Sequence, residues 1–389
     1  MSQIGYVLSD FPVLSETFVG TEIRAMKALG HSIQPMAFRL NPNGGQPIDD
    51  ELARSATALS AVSTKHAMVE WLKNPVRSIK ALSFIMRQKN LPKKSLIRST
   101  GQLAASARTT KCHHLHAHFA LHTAATAIAA AKLTGCNVSF VGHGYDVYSH
   151  PADLALKLSN VSFSVAVCKE MQSKFQTLNQ NKKVHLVECG IDLARYPFKP
   201  TASHNGKLLF IGRLTEKKGL TDLLYALSLI PEESRPSLDL VGDGEQKHEL
   251  LTLTKQLNLN DQVSFLGSQP SEWIIDHANQ YLALCTPFCE AKNGDRDTGP
   301  VVVKEAMALG LPVISSDFMG CKEMISPDTG LLFSPHDIQA LSDAISQINQ
   351  QPSPQRLALL KRARERVETY FSAHSSAQKL SSAIRGAAQ

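Results

Sequence analysis

No run of about 18 or more apolar residues occurs anywhere in the chain, so nothing in it reads as a transmembrane helix. The opening MSQIGYVLSDFPVLSETF lacks the basic-then-apolar order of a secretory signal and is expected to begin a strand. Cysteine is sparse: seven residues, at 112, 136, 168, 189, 285, 289 and 321, form no CxxC pair, and their number is odd. That argues against a disulfide framework and fits reduced thiols in the cytoplasm. Acid is missing locally. Between Glu70 and Asp146 there is none, against eleven Lys or Arg, including Lys89, Lys93, Lys94 and Arg98. This 71–145 block reads either as a solvated basic face or as a surface for anionic lipid headgroups or a lipid-linked phosphate acceptor. Nucleic acid is not expected as a partner, because aromatics do not interleave with the charges to make a stacking platform.

The 389 residues, 43% of them hydrophobic, suffice for two domains at about 100–200 residues each. Short apolar runs alternate with helical patterns, the signature of parallel sheets covered by helices. Ile4 to Leu8 is the first expected strand, and Ser15 or Thr17 can cap the helix that follows. Residues 40–52 are expected as a loop and 53–110 as basic helices. Strands are expected at 112–116, 138–141 and 165–167. A domain boundary is expected near 200, in TASHNG. The pattern then restarts, with strands at 208–211, 238–241, 263–266, 282–285 and 312–314, a helix at 300–309, and a helical last 50 residues.

Several strand ends carry polar groups suited to chemistry. In Asp297-Thr298-Gly299-Pro300 a helix is expected to start at Pro300, so its first-turn N–H groups are free to meet a diphosphate. Glu305 lies eight residues past Asp297. The plainer alternative is a helix with an acid at its start and one surface glutamate. Gly212-Arg213-Leu214-Thr215-Glu216-Lys217-Lys218-Gly219 follows a strand, and Arg213 and Lys218 could clamp the same diphosphate or simply charge a loop. Gly142-His143-Gly144 also follows a strand. A neutral His143 could bond a sugar hydroxyl or could be a turn residue with a local partner. His113, His114, His116, His118 and His122 have no acid near them in sequence, so alternation along a strand explains them better than zinc. Asp295-Arg296-Asp297 spells DxD but precedes a helix, and no metal is expected there. Gly242-x-Gly244 lacks a third glycine, since position 247 is Lys.

Taken in order, FIGRLTEKKGL, LVGDGEQKHEL, VSFLGS and DTGPVVVKEAMALGLPVISS resemble the retaining glycosyltransferases of family 4, which have the GT-B fold. FPVLSETFVGTEI, HAHFALHTA and SFVGHGYDVY look like the branch that builds bacterial exopolysaccharides such as colanic acid. The resemblance covers almost the whole chain. It implies an α/β protein with two Rossmann-like domains, 1–200 for the acceptor and 201–370 for a nucleotide sugar. It also implies an active site in the cleft between them and a terminal helix, 371–389, crossing back. Arg213 and Lys218 match the pair that neutralises the donor diphosphate, and the Thr298 and Gly299 amides should face it. Glu305 matches the acid that binds the donor ribose, and Asp297 the acid that contacts sugar hydroxyls. His143 matches the histidine on the transferred sugar. Ser15, Glu16 and Thr17 match the first loop on the acceptor side, where His118 is also expected. Asp297 departs from the family's usual Glu by one methylene, which puts sugar preference in doubt.

The function implied is retaining hexosyl transfer from a UDP- or GDP-sugar to an oligosaccharide acceptor, lipid-linked by expectation, without an obligatory metal. The expected place is the cytoplasm, at the inner face of its membrane. Two alternatives stay open at this point: a sugar-nucleotide epimerase or hydrolase of the same fold, and a non-catalytic relative that only binds.

Overall fold

The computed structural model describes residues 2–42, 44–181 and 183–387. The chain divides into two compact units, Met1–Gly190 with Ala373–Gln389, and Ile191–Ser372. The division falls after Gly190, where the sequence suggested about 200. Residues 191–200 are fastened to the second unit: Tyr196 is buried, Ile191 N bonds Phe371 O at 3.0 Å, and Lys199 N bonds Leu309 O at 3.2 Å.

The first unit holds a parallel sheet of β1 (Gln3–Phe11), β2 (Ser32–Leu40), β3 (Thr57–Ala58), β4 (His114–His118), β5 (Asn137–Val141), β6 (Phe163–Ala166) and β7 (Lys183–Leu186). Their order is β3-β2-β1-β4-β5-β6-β7. The second holds β8 (Lys207–Ile211), β9 (Ser237–Val241), β10 (Val263–Gly267), β11 (Ala283–Thr286), β12 (Val313–Ser316) and β13 (Leu331–Phe333), ordered β10-β9-β8-β11-β12-β13. Every strand pairing is parallel. Helices cover both faces of such sheets, so the strands read as nearly unbroken apolar runs: Leu208, Leu209, Phe210, Leu238, Leu240, Leu284, Val313 and Ile314 are all fully buried. In each sheet the strand order reverses once, between β1 and β4 and between β8 and β11. Ligands of open α/β sheets bind beyond the strand carboxyl ends at such points.

Three local expectations are corrected. Residues 47–49 form a 3₁₀ turn and the helix Asp50–Ser55 begins at Asp50, whereas a loop is expected through residue 52. Neither Ser15 nor Thr17 caps the helix Thr17–Ala28; Glu16 is its N-cap residue, and no side chain there makes a cap bond. Pro300 is the N-cap residue of the helix Val301–Leu309 rather than its first helical residue, with φ −63° and ψ 120°. The last helix, Ala373–Ala387, packs on Thr17–Ala28, and His31 meets Ser381 at 2.7 Å. Among the described residues, no helix is long and apolar enough to cross a membrane.

Candidate functional site

In the second unit the polar groups collect at the β8/β11 reversal. The chain leaves β8 through Gly212 (φ 153°) and β9 through Gly242 (φ 142°). A Cβ on Gly242 would lie 1.9 Å from Gly212 O, so only glycine allows the two turns to touch. The 3₁₀ turn Glu216–Lys218 ends at Gly219, where a Cβ would lie 1.8 Å from Pro287 O. This close approach presses the turn onto the segment after β11. Lys218, nearly buried, meets the Asp297 carboxylate and sits 4.5 Å from the Phe288 ring centroid. Its neighbour Lys217 pairs with Asp295 at 2.9 Å. Burial pushes Asp297 up, but Lys218, Lys217 and Arg213 outweigh it and hold the carboxyl below its ordinary range. Both acids of the DxD thus face lysines.

Arg213 is exposed and, among the described residues, forms no ion pair. Thr298 is buried, and its carbonyl accepts Gly320 N at 3.2 Å, which pins the approach to the Val301–Leu309 helix. The first N–H groups of that helix have no partner within it. Glu305 is buried and accepts the Tyr196 hydroxyl at 2.7 Å. Burial raises its carboxyl, while Tyr196, Arg195 and Lys304 pull the other way. The unit therefore brings together Lys218, Asp297, Thr298 and a nearby Arg213, and it positions Glu305 about one turn into the helix Val301–Leu309.

In the first unit, Ser15, Glu16 and Thr17 lead into the helix Thr17–Ala28, which carries Phe18 and Glu22 toward the end of β4. His114, His116 and His118 alternate along β4 and are buried. Glu22 Oε1 lies 3.4 Å from His118 Nε2 and 3.6 Å from His116 Nε2, and it accepts the Tyr6 hydroxyl at 2.8 Å. Burial works against the charge of Glu22, yet His118, His116 and Tyr6 hold it down to about 2. His118 Nδ1 is 3.3 Å from His143 Nε2. The His143 ring packs between Phe18, with centroids 4.6 Å apart, and Phe119, at 4.4 Å. Burial, then His118, pulls its pKa well below the usual value, so the ring is neutral at pH 7. Asp146 accepts the amides of Ala120 (2.6 Å) and His143 (3.0 Å) and so ties the loop after β4 to the loop after β5. Phe119 sits between them at φ 69°, a conformation bulky residues adopt only under outside constraint.

Proton placement follows from the charges. A carboxylate at Glu22 favours a proton on His118 Nε2. His118 Nδ1 then accepts the Nε2–H of His143, and His143 Nδ1 is left as an acceptor for a hydroxyl donor. Among the described residues, Glu22, His116 and His118 are also the group whose ligand atoms lie close enough to share a metal ion. Sequence reading saw the histidines but not Glu22, nor Tyr6, Asp146, Tyr196 and Lys217. An acid in the otherwise apolar stripe Val19, Ile23, Met26 was the signal for Glu22. Tyr196 meets Glu305 across 109 positions and left no local trace.

The family Glycosyl transferases group 1 matches residues 196–366, the segment holding the Arg213–Lys218 loop, Asp297 and Glu305. Over that segment the chain is similar to group 1 glycosyl transferases. It is 25% identical to the putative colanic acid biosynthesis glycosyltransferase WcaL of Escherichia coli, over 95% of this chain and 96% of that protein. It is 31% identical to the amylovoran biosynthesis glycosyltransferase AmsK of Erwinia amylovora, over 50% of this chain and 48% of that one. Among solved structures, HepE of Anabaena in complex with UDP-glucose superimposes with a TM-score of 0.74 at 17% identity, covering 99% of this chain and 100% of that one. The glycosyltransferase fold is GT-B, as the resemblance implied.

Proposed function

We propose that this glycosyltransferase moves a hexosyl unit, with retention, from a UDP- or GDP-sugar to a lipid-linked oligosaccharide in bacterial exopolysaccharide, capsule or lipopolysaccharide synthesis. The observation that carries the donor reading is Lys218 held against Asp297, with Arg213 free beside them, ahead of a helix N-terminus. In this reading Arg213, Lys218 and the amides near Thr298 and Gly299 take the diphosphate, Glu305 the ribose and Asp297 the sugar hydroxyls. His143, through Nδ1, takes a hydroxyl of the transferred sugar. Ser15, Glu16, Thr17 and His118 serve the acceptor side. The C1–O bond to the leaving phosphate breaks as the acceptor oxygen bonds C1 on the same face, and the acceptor proton passes to the departing phosphate oxygen. Stabilising charge on that phosphate is the main catalytic task. The curated relatives WcaL and AmsK, named for colanic acid and amylovoran biosynthesis, and the UDP-glucose complex of HepE support the pathway and the donor class. Seven scattered cysteines with no CxxC spacing suit the cytoplasm, and the basic 71–145 segment suits contact with its anionic membrane face.

Thermal unfolding with UDP, GDP, ADP and dTDP tests the donor site. A nucleotide at about 100 times its Kd should stabilise by about 2.7 kcal/mol, and Arg213→Ala should remove that gain. No shift with any of the four would reject the reading.

The reaction is proposed to need no metal, because lysines already face the carboxylates at the donor site. Turnover should survive exhaustive chelation, and the purified protein should hold no stoichiometric ion. One tightly held equivalent of zinc, lost in Glu22→Gln, would instead assign Glu22, His116 and His118 as ligands and reverse the tautomers given above.

A further inference from the structure

Two consecutive helices of the first unit, Thr64–Leu72 and Pro75–Arg87, turn apolar side chains to solvent. Among the described residues fifteen large hydrophobics are exposed, and seven of them fall between positions 68 and 86. Scattered exposed hydrophobics are ordinary, but a concentration of this kind is not. Leu72 is 78% exposed, Ile79 67%, and Met68, Val76 and Met86 between 62% and 63%.

The pattern on the second helix is helical. Val76, Ile79, Ser83 and Met86 follow the i, i+3, i+7, i+10 spacing of one stripe, and all four are exposed. The opposite stripe, Ser78, Ala81, Phe84 and Ile85, is buried against the helix His122–Thr134. A helix resting on a protein and otherwise facing water carries polar residues on its outer side. This one is apolar on both sides, so its outer stripe calls for a second apolar surface.

Charge selects the occupant. Lys80 and Arg87 flank the outer stripe, and Lys93, Lys94 and Arg98 follow on the next helix, Lys93–Thr109. Among the described residues, none of these five forms an ion pair, whereas Lys73 and Arg108 are engaged by Glu70 and Arg77 donates to Thr134 O. Apolar side chains rimmed by unpaired cations, with no acid from 71 to 145, complement an anionic bilayer: aliphatic and methionine side chains below the headgroups, ammonium and guanidinium groups among the phosphates. We infer that the outer stripe of these helices inserts into the headgroup region of an anionic membrane, with Leu72 and Ile79 as its anchors. This deepens the membrane contact proposed above by naming the inserting side chains, and it does not depend on the donor assignment.

The test is co-sedimentation of the full chain with vesicles of phosphatidylcholine alone or mixed with phosphatidylglycerol. Binding is expected only with the anionic lipid. The double variants Leu72→Asp/Ile79→Asp and Lys80→Ala/Arg87→Ala should each weaken it by about tenfold or more, with the nucleotide-induced thermal shift unchanged. Binding that survives both double variants, or no binding to anionic vesicles at low salt, would overturn the inference while leaving the transferase reading intact. So would a concentration-dependent dimer abolished by Leu72→Asp/Ile79→Asp, which would give the face to a second copy of the chain. Loss of the nucleotide shift in the unaltered protein would instead strike the donor reading alone.

Discussion

Lys218→Ala is expected to lower kcat/KM by about 10²–10³-fold, the usual loss when one preorganised donor to a developing anion is removed. Most of the loss should appear in kcat, since charge on the diphosphate grows toward the transition state. The side chain is nearly buried, packed over Phe288 and held by Asp297, so it arrives in position before any ligand does. A purely structural role is separable. If Lys218 served only to neutralise Asp297, then Lys218→Ala/Asp297→Asn would remove both charges and recover turnover. If it acts on the diphosphate, the double variant stays slow. Thermal unfolding of each variant guards against lost folding. Near-normal turnover in Lys218→Ala would reject the assignment.

The second unit was the more legible in sequence, for a physical reason. Its central strands are short, largely apolar runs, such as Lys207–Ile211 and Ser237–Val241, and these two are followed by Gly212 and Gly242, the latter required by its close approach to Gly212 O. In the first unit β2 escaped notice because SIQPMAFRL carries Pro35 and Arg39 and mixes exposed with buried positions. The three-residue β13 and the partly buried β7 have too little apolar sequence to stand out. The site divides along the same line. Arg213, Lys218, Asp297 and Glu305 sit in local motifs, so resemblance could find them. The Glu22–His118–His143 chain joins a helix to the end of β4 and the loop after β5, about a hundred residues further on. The exposed stripe of the Pro75–Arg87 helix was hidden differently: composition shows its apolar and basic residues, but only packing tells which side is left without a partner.

Stability of the first unit should fall as pH drops from 7 toward 5. Burial lowers His114 to about 3 and His116 to about 4, and it takes His143 well below its ordinary value. In the unfolded chain each takes up a proton near pH 6.5, while the folded chain keeps all three neutral. The unfolded state therefore binds more protons below pH 6.5. Stability present above that pH is lost as pH falls toward the folded values, at up to about 1.4 kcal/mol per pH unit for each histidine. Asp146 opposes this. Burial raises it to about 6, against the backbone amides of Ala120, His143 and Asp146 itself and the charge of Lys157, so between pH 6 and about 4 the folded chain holds a proton the unfolded chain releases. One acid against three histidines leaves a net loss, on the order of a few kcal/mol by pH 5. The second unit should behave otherwise: its raised Glu305 gains stability on acidification, and Asp297, held low, titrates below this window. Each unit contains one tryptophan, Trp71 and Trp273, so Trp273→Phe and Trp71→Phe report the units separately by fluorescence. The denaturation midpoint read by Trp71 should fall steeply between pH 7 and 5, and that read by Trp273 should not. His116→Asn should reduce the slope of the first by about one proton. A flat Trp71 midpoint would mean that His114 and His116 are not held neutral in the folded chain, and with them the neutral His143 on which the sugar contact rests would fall.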